Sequence, residues 1–203
     1  MEEQGMPTLA LNIQMHGKQA VIIGGGAVAL RKLRTLLAAG ACVRVAAMTI
    51  CPEIAVLRDA GEISVRQGWY RESDLDKAFL VIAATDNPQV NKQICRAASE
   101  RGILVAVADD PAAGDCMFPA VLQRGDLEIT VSTGGRSPTF AVDVRDCIAG
   151  HIGSEYGTIL ERLAAEREKL LTNGSSSTYN AQVLRSLARR LIADVSERKE
   201  SLS

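Results

Sequence analysis

The stretch VIIGGGAVALRKLRTLLAAGACVRVAAMT, Val21 to Thr49, decides the fold. It opens inside an apolar, β-branched run, Gln19 to Gly24, bounded by Gly17 and a glycine triplet, the composition of a strand buried on both faces. Val28, Leu33, Leu36 and Leu37 then recur at helical spacing until Gly40 stops the pattern, and CVRVAA (Cys42 to Ala47) reads as a second strand. Between strand and helix, GGGAVA (Gly24 to Ala29) matches G-x-G-x-x-A in the context that a dinucleotide-binding turn requires. Gly24 permits the tight turn, Gly26 lets the backbone approach a pyrophosphate, and Ala29 keeps the helix close to the strand. The helix N-terminus adds free N–H groups and a partial positive charge. The competing reading is a glycine-rich turn needed only for close packing.

One part of the pattern is missing. The acid that follows such turns by about 20 residues would fall at Ala46 or Ala47, and neither can accept a hydrogen bond from a ribose. No arginine cluster stands there for a 2′-phosphate either, so the choice between NAD and NADP is open. The Thr49 hydroxyl and the amides from Ala47 to Thr49 are the substitutes on offer.

Outward from this unit, EISVRQ (Glu62 to Gln67), AFLVIAAT (Ala78 to Thr85) and GILVAVA (Gly102 to Ala108) continue as strands, with helical stretches between them, the clearest from about Gln89 to Arg101. Strand and helix in alternation imply a parallel sheet covered on both sides, an α/β, Rossmann-like domain. After Pro111 the grammar changes. MFPAVLQRGDLEITVSTGG suggests two short extended segments joined at Arg124-Gly125-Asp126. Ser137 to Leu171 reads as helical, with Phe140, Val144, Cys147, Ile148, Ile159, Leu160 and Leu163 on a stripe. TNGSSST (Thr172 to Thr178) is a loop before a last amphipathic helix from Tyr179 to Lys199. The expected division is therefore a dinucleotide domain over 1–112, a dimerisation and substrate segment over 113–150, and a helical C-terminal region over 151–203. That last region is too small to stand alone, and is expected to pack on a partner subunit or over a site.

The bulk composition sets limits. With 23 basic and 24 acidic residues the net charge is −1, so no global field recruits nucleic acid or an anionic membrane. Five scattered cysteines, without a C-x-x-C pair, argue against a disulfide framework and a structural zinc site, and favour a reducing cytoplasm. No run is long and apolar enough for a signal peptide or a membrane span.

Three further segments fall at carboxyl ends of expected strands, where ligands of doubly wound sheets bind: AATDNPQVN (Ala83 to Asn91), VADDPAAGDCMFPAV (Val107 to Val121) and TVSTGGRSPTFA (Thr130 to Ala141). With GGGAVALRK before them, in this order, they resemble the precorrin-2 dehydrogenase family, which includes one half of siroheme synthase. The likeness runs from about Leu9 to Gly150. It implies an NAD-binding domain followed by a helical dimerisation region, and the oxidation of precorrin-2 to sirohydrochlorin in siroheme biosynthesis. It also implies that Ala27, Val28, Met48 and Thr49 contact NAD, that Asp109 is the catalytic aspartate, and that Ser132 lies in the substrate cleft. Ala106 departs from the family, standing where an asparagine is usual.

The chemistry is consistent with that resemblance. Removing two hydrogens from a tetrapyrrole needs a hydride acceptor and a group to take the proton. His16 and His151 lie away from the expected strand ends, so a carboxylate is the candidate base. Asp109 and Asp110 follow an apolar strand, where partial burial and mutual repulsion would tune one of them; turn chemistry alone is the other reading. Gly24 and Gly26 hold the cofactor, and Thr85 and Asp86 line its cleft, although Asp86 could instead cap the next helix. Ser132, Gly134, Arg136 and Ser137 combine hydroxyls, a glycine and a guanidinium before a helix beginning at Pro138, an arrangement suited to the carboxylates of a tetrapyrrole. Ser137 as a simple N-cap competes with this. Arg124 and Arg145 are weaker candidates, Cys116 is a small buried filler, and no metal site is expected. A bifunctional enzyme that also inserts ferrous or cobaltous ion into sirohydrochlorin is the enzymatic alternative. An NAD(H)-sensing module is the non-enzymatic one. A homodimer is the expected assembly.

Overall fold

The computed structural model describes residues 7–172 and 177–200. The chain forms two compact units, one reaching to Phe118 and one beginning at Pro119.

The first unit is a five-stranded parallel sheet in the order β3-β2-β1-β4-β5, the order of a doubly wound half. Its strands are β1 (Gln19–Ile23), β2 (Cys42–Ala47), β3 (Ile63–Gln67), β4 (Leu80–Ala83) and β5 (Leu104–Val107), with α1 (Ala27–Ala38), α2 (Pro52–Asp59) and α3 (Pro88–Glu100) between them. The α/β expectation is borne out; the second strand has its expected bounds, and the other four were expected one or two residues too long at one or both ends.

Two-residue alternation explains the layers. Ala20 and Ile22 of β1 pack with Val43 and Val45 of β2, with Ile82 of β4, and with Ala29, Leu30, Leu33 and Leu36 of α1. Val21 and Ile23 point the other way, into Val81, Val105 and Val107 and against Ile94, Ala97 and Ala98 of α3. Every residue from Ala20 to Ile23 is thus buried, which is why β1 reads as a continuous apolar run. After β3 the chain crosses to the far side of β1, so the strand order reverses between β1 and β4. That is the switch point at which the carboxyl ends of such a sheet leave a crevice.

The outer edge is closed by an ion pair. Asp74, 4% exposed, pairs with Arg66 of β3 and accepts the Arg71 amide at 2.9 Å. Arg44 donates to the carbonyls of Asp74 at 2.7 Å and Asp76 at 2.9 Å.

The second unit begins with the antiparallel hairpin of β6 (Ala120–Arg124) and β7 (Leu127–Val131), turning at Gly125 and Asp126 as expected. Gly125 has φ 58°, the positive value that the first position of a two-residue hairpin loop requires. The stretch read as helical from Ser137 to Leu171 forms two helices, α4 (Pro138–His151) and α5 (Glu155–Thr172), divided at residues 152–154. The cause is local: Gly150 and Gly153 weaken the helix, and Ile152 has left helical geometry at ψ 92°. Phe140 and Cys147, expected on the buried stripe, are exposed, and Ala141 is the buried residue of α4. The expected loop from Thr172 to Thr178 falls largely outside the described residues, and the last helix is α6 (Ser177–Glu200).

Candidate functional site

The glycine turn joins β1 to α1, with each glycine doing a different job. Gly24 has φ 136°, and a Cβ there would strike the Ala84 carbonyl, with Ala84 C at 2.7 Å and Thr85 N at 3.3 Å. A Cβ on Gly25 would strike the Thr49 carbonyl and come within 3.0 Å of Ala47 Cβ. Around Gly26 there is nothing within 4 Å. Two glycines therefore let backbone pack on backbone, and the third keeps space open. Gly25 was not singled out from the sequence, because the fingerprint leaves its middle position free; only the return of the β2 loop, with Cys51 N–H donating to Gly25 O at 2.8 Å, makes it obligatory.

The end of α1 is bare. Gly26 is its N-cap, no side chain caps it, and its first turn carries no acid. At α3 and α4 side chains satisfy the corresponding groups: Asn87 Oδ1 accepts from Gln89 N at 2.9 Å at the start of α3, and Ser137 Oγ accepts from Phe140 N at 3.3 Å at the start of α4. Uncapped N–H groups beside an open cradle are what a pyrophosphate satisfies. Val28 and Met48, both large and apolar, stand exposed beside this turn at 41% and 49%, together with exposed Ala27 and Thr49. Gly24, Gly26, Ala27, Val28, Met48 and Thr49 thus lie together at the carboxyl ends of β1 and β2.

The carboxyl ends of β4 and β5 lie alongside. Ala84 N donates to Ile23 O at 2.8 Å and Ala108 N to Ala83 O at 2.9 Å, so Thr85 and Asp109 follow on the same edge of the sheet as the glycines. Asn91, 3% exposed, binds them together. Its Oδ1 accepts from Thr85 Oγ1 at 2.6 Å and Thr85 N at 3.3 Å, while its Nδ2 donates to Thr85 O at 3.1 Å and to Asp109 Oδ1 at 3.2 Å. Asp86 is exposed and caps nothing; the cap of α3 is Asn87. Asn91 was missed in the sequence, though one signal existed: an amide at an apolar position of the stripe that continues through Ile94, Ala97 and Ala98.

Asp109 and Asp110 are both exposed, against the expected partial burial. The loop that follows folds back along β5, with Asp115 N donating to Val105 O at 2.8 Å and Val105 N to Asp115 Oδ2 at 3.2 Å. Cys95 of α3 faces this acidic corner. Its burial first, then the charges of Asp115, Asp110 and Asp109, push the thiol up. Cys116 is half-buried against the α1 face, and burial raises its thiol as well, so its role is packing. Lys32 of α1 lies under the Phe118 ring, 4.0 Å from its centre, and burial together with Arg31 lowers its ammonium to about 8.

In the second unit, Thr133 Oγ1 accepts from Ser137 N at 3.1 Å and donates to Ser137 O at 3.0 Å, and Ser132 Oγ accepts from Gly134 N at 3.3 Å. Gly134 and Gly135 take φ 60° and 80°. The Ser137 hydroxyl is therefore spent on capping, whereas Arg136 is exposed with no side-chain partner among the described residues. Arg124 and Arg145 have structural uses: Arg124 Nε donates to Ile152 O at 2.9 Å, and Arg145 pairs with Asp146 at 2.7 Å. Among the described residues no His, Cys, Asp and Glu cluster could hold a metal ion, and no helix is long and apolar enough to cross a membrane.

Residues 11–120 match the profile of a family described as "Putative NAD(P)-binding". The chain belongs to this family. The match covers the sheet, the glycine turn and Asp109, so the dinucleotide expectation is met by the family as well as by the turn. The chain is also 40% identical over 167 residues to a siroheme synthase of Pseudomonas entomophila and 41% identical over 166 residues to one of Methylococcus capsulatus. In both cases 81% of the chain is matched, and it spans only 36% and 35% of those relatives' lengths. A solved structure described as "SirC, precorrin-2 dehydrogenase" superposes with a TM-score of 0.77, covering 94% of this chain and 100% of that one at 22% identity, and agrees in fold. These similarities accord with the resemblance carried by the four sequence segments.

Proposed function

We propose that this chain is an NAD-dependent dehydrogenase that oxidises precorrin-2 to sirohydrochlorin in siroheme biosynthesis. The observation that carries this reading is a carboxylate and an open, uncapped glycine turn on the same sheet edge: Asp109, held by Asn91 after β5, and Gly26 after β1. The names of the similar proteins supply the substrate class. When bound, NAD supplies the hydride acceptor. Gly24 and Gly26 let the backbone approach its phosphates, Val28 and Met48 offer apolar surface, Thr49 offers a hydroxyl, and Thr85 borders the cleft with its hydroxyl held by Asn91. The Asp109 carboxylate takes the proton that leaves the tetrapyrrole as the hydride departs, so that two hydrogens are removed in all. In the second unit Ser132, Gly134 and Arg136 bind substrate carboxylates, with Ser137 fixing the helix behind them. The working form is a cytoplasmic homodimer, consistent with five free cysteines and the exposed apolar Phe140 and Val142 on α4.

The test is anaerobic. Protein is mixed with precorrin-2 and NAD, and NADH is followed by absorbance, with Asp109→Ala in parallel. Turnover by the wild type and its loss of at least about a hundredfold in the variant, with NAD affinity unchanged, is the expected result. Product that appears only after ferrous or cobaltous ion is added identifies the bifunctional enzyme. NAD binding without NADH formation refutes the dehydrogenase and leaves the sensing module. A monomeric mass by light scattering refutes the dimer.

A further inference from the structure

We propose that Asn91 is a positioning residue for Asp109, whose amide aims that carboxylate at the reacting position from the buried face of α3. This rests on the function proposed above and adds a residue to its machinery.

Asp109 stands in an exposed loop, where a short side chain would sample several rotamers. Among the described residues the Asn91 amide is the one side-chain donor on its carboxylate. Asn91 itself has no freedom. It is 3% exposed, and all of its hydrogen-bonding capacity is used in a single orientation: two acceptor sites on Thr85 N–H and O–H, two donors to Thr85 O and Asp109 Oδ1. Flipping the amide would set its oxygen against a carbonyl and a carboxylate, so the orientation is fixed chemically. A buried amide anchored on β4 therefore holds a carboxylate that follows β5, and links the cofactor rim at Thr85 to the base. Ala106, one position before the last residue of β5, carries no polar group to do this.

The charged and titratable groups around Asp109 are Asp110 in the same loop, Asp115 where that loop returns to β5, and Cys95 on α3, whose thiol is held protonated by burial and by these three carboxylates. No cation among the described residues pairs with Asp109. The amide is thus the side-chain donor on it among the described residues, and replacing it with a carboxylate sets a like charge against the base.

Two full-length variants test this. Asn91→Asp keeps the shape and the acceptor for Thr85 but sets a second carboxylate against Asp109; Asn91→Ala removes the donor without adding charge. Rates are taken per folded protein, from circular dichroism and thermal melts, with NAD affinity measured alongside. Asn91→Asp is expected to move the acidic limb of the kcat/KM profile up by about one pH unit, with the rate deficit shrinking as pH rises. Asn91→Ala is expected to lower kcat about 10- to 100-fold while KM for the tetrapyrrole stays within about twofold. A residue that only supports the fold would lower the melting temperature and leave both kcat and the limb unmoved. Folded variants with wild-type kcat and profile overturn the inference, and one folded variant suffices to decide. A wild type that forms no NADH overturns it together with the proposed function, whereas an active wild type with indifferent variants overturns it alone.

Discussion

Replacing Gly26 with alanine should separate ligand binding from stability. A Cβ at this position meets nothing within 4 Å, and the backbone, at φ −91° and ψ −168°, is open to any residue. Alanine restricts the unfolded chain, which stabilises by about 0.4–1 kcal/mol, and is the poorer N-cap, which costs roughly half a kcal/mol. The two effects offset, so stability should change by less than about 1 kcal/mol, or under about 4 °C in melting temperature for a chain of this size. NAD affinity should fall at least about tenfold, or 1.4 kcal/mol, because the methyl fills the space where the backbone meets the phosphates. Gly25→Ala is the contrast: its Cβ strikes the Thr49 carbonyl and crowds Ala47, both on backbone that cannot yield, so it should cost about 1–3 kcal/mol before any ligand is added. Thermal melts give the stability. Binding is followed by fluorescence of Trp69, the single tryptophan, 74% exposed after β3, where Gly68 N donates to Ala47 O. Wild-type NAD affinity in Gly26→Ala, or a melting loss equal to that of Gly25→Ala, would refute the assignment of the open cradle.

Three other outcomes follow from single residues. Asp74→Ala leaves the Arg66 guanidinium and the Arg71 amide without their carboxylate, and should cost about 3–5 kcal/mol, a drop on the order of 10 °C in a thermal melt. Lys32 is lowered in the folded state from 10.5 to about 8, so between those values the unfolded chain binds more protons and stability must rise with pH; denaturation at pH 8 and pH 10 should show this, and Lys32→Met should abolish it. Ser137→Ala should cost about 1 kcal/mol as a lost cap with little change in KM, whereas Arg136→Ala should raise KM for the tetrapyrrole several-fold without lowering the melting temperature; the reverse pattern would exchange their roles.

The strands, the glycine turn and the hairpin at Gly125 were legible because each depends on residues close in sequence. A short, β-branched apolar run bounded by glycines reads as a strand covered on both faces, and a glycine triplet before helical periodicity reads as a tight turn. Asp109 was singled out by the family resemblance, and its place directly after β5 follows from the local strand pattern. What the sequence by itself determined, then, is the α/β class, the dinucleotide turn and the candidate base. Tertiary structure alone decided the rest. Gly25 is obligatory only because the β2 loop returns onto it from Thr49, and Asn91 reaches both Thr85 and Asp109 only because α3 sets it beside the ends of β4 and β5. Arg66 and Asp74 pair over the turn that follows β3. Each of these depends on a contact between residues at least eight positions apart in the chain, and a contact made across such a separation leaves no periodicity in the residues that make it.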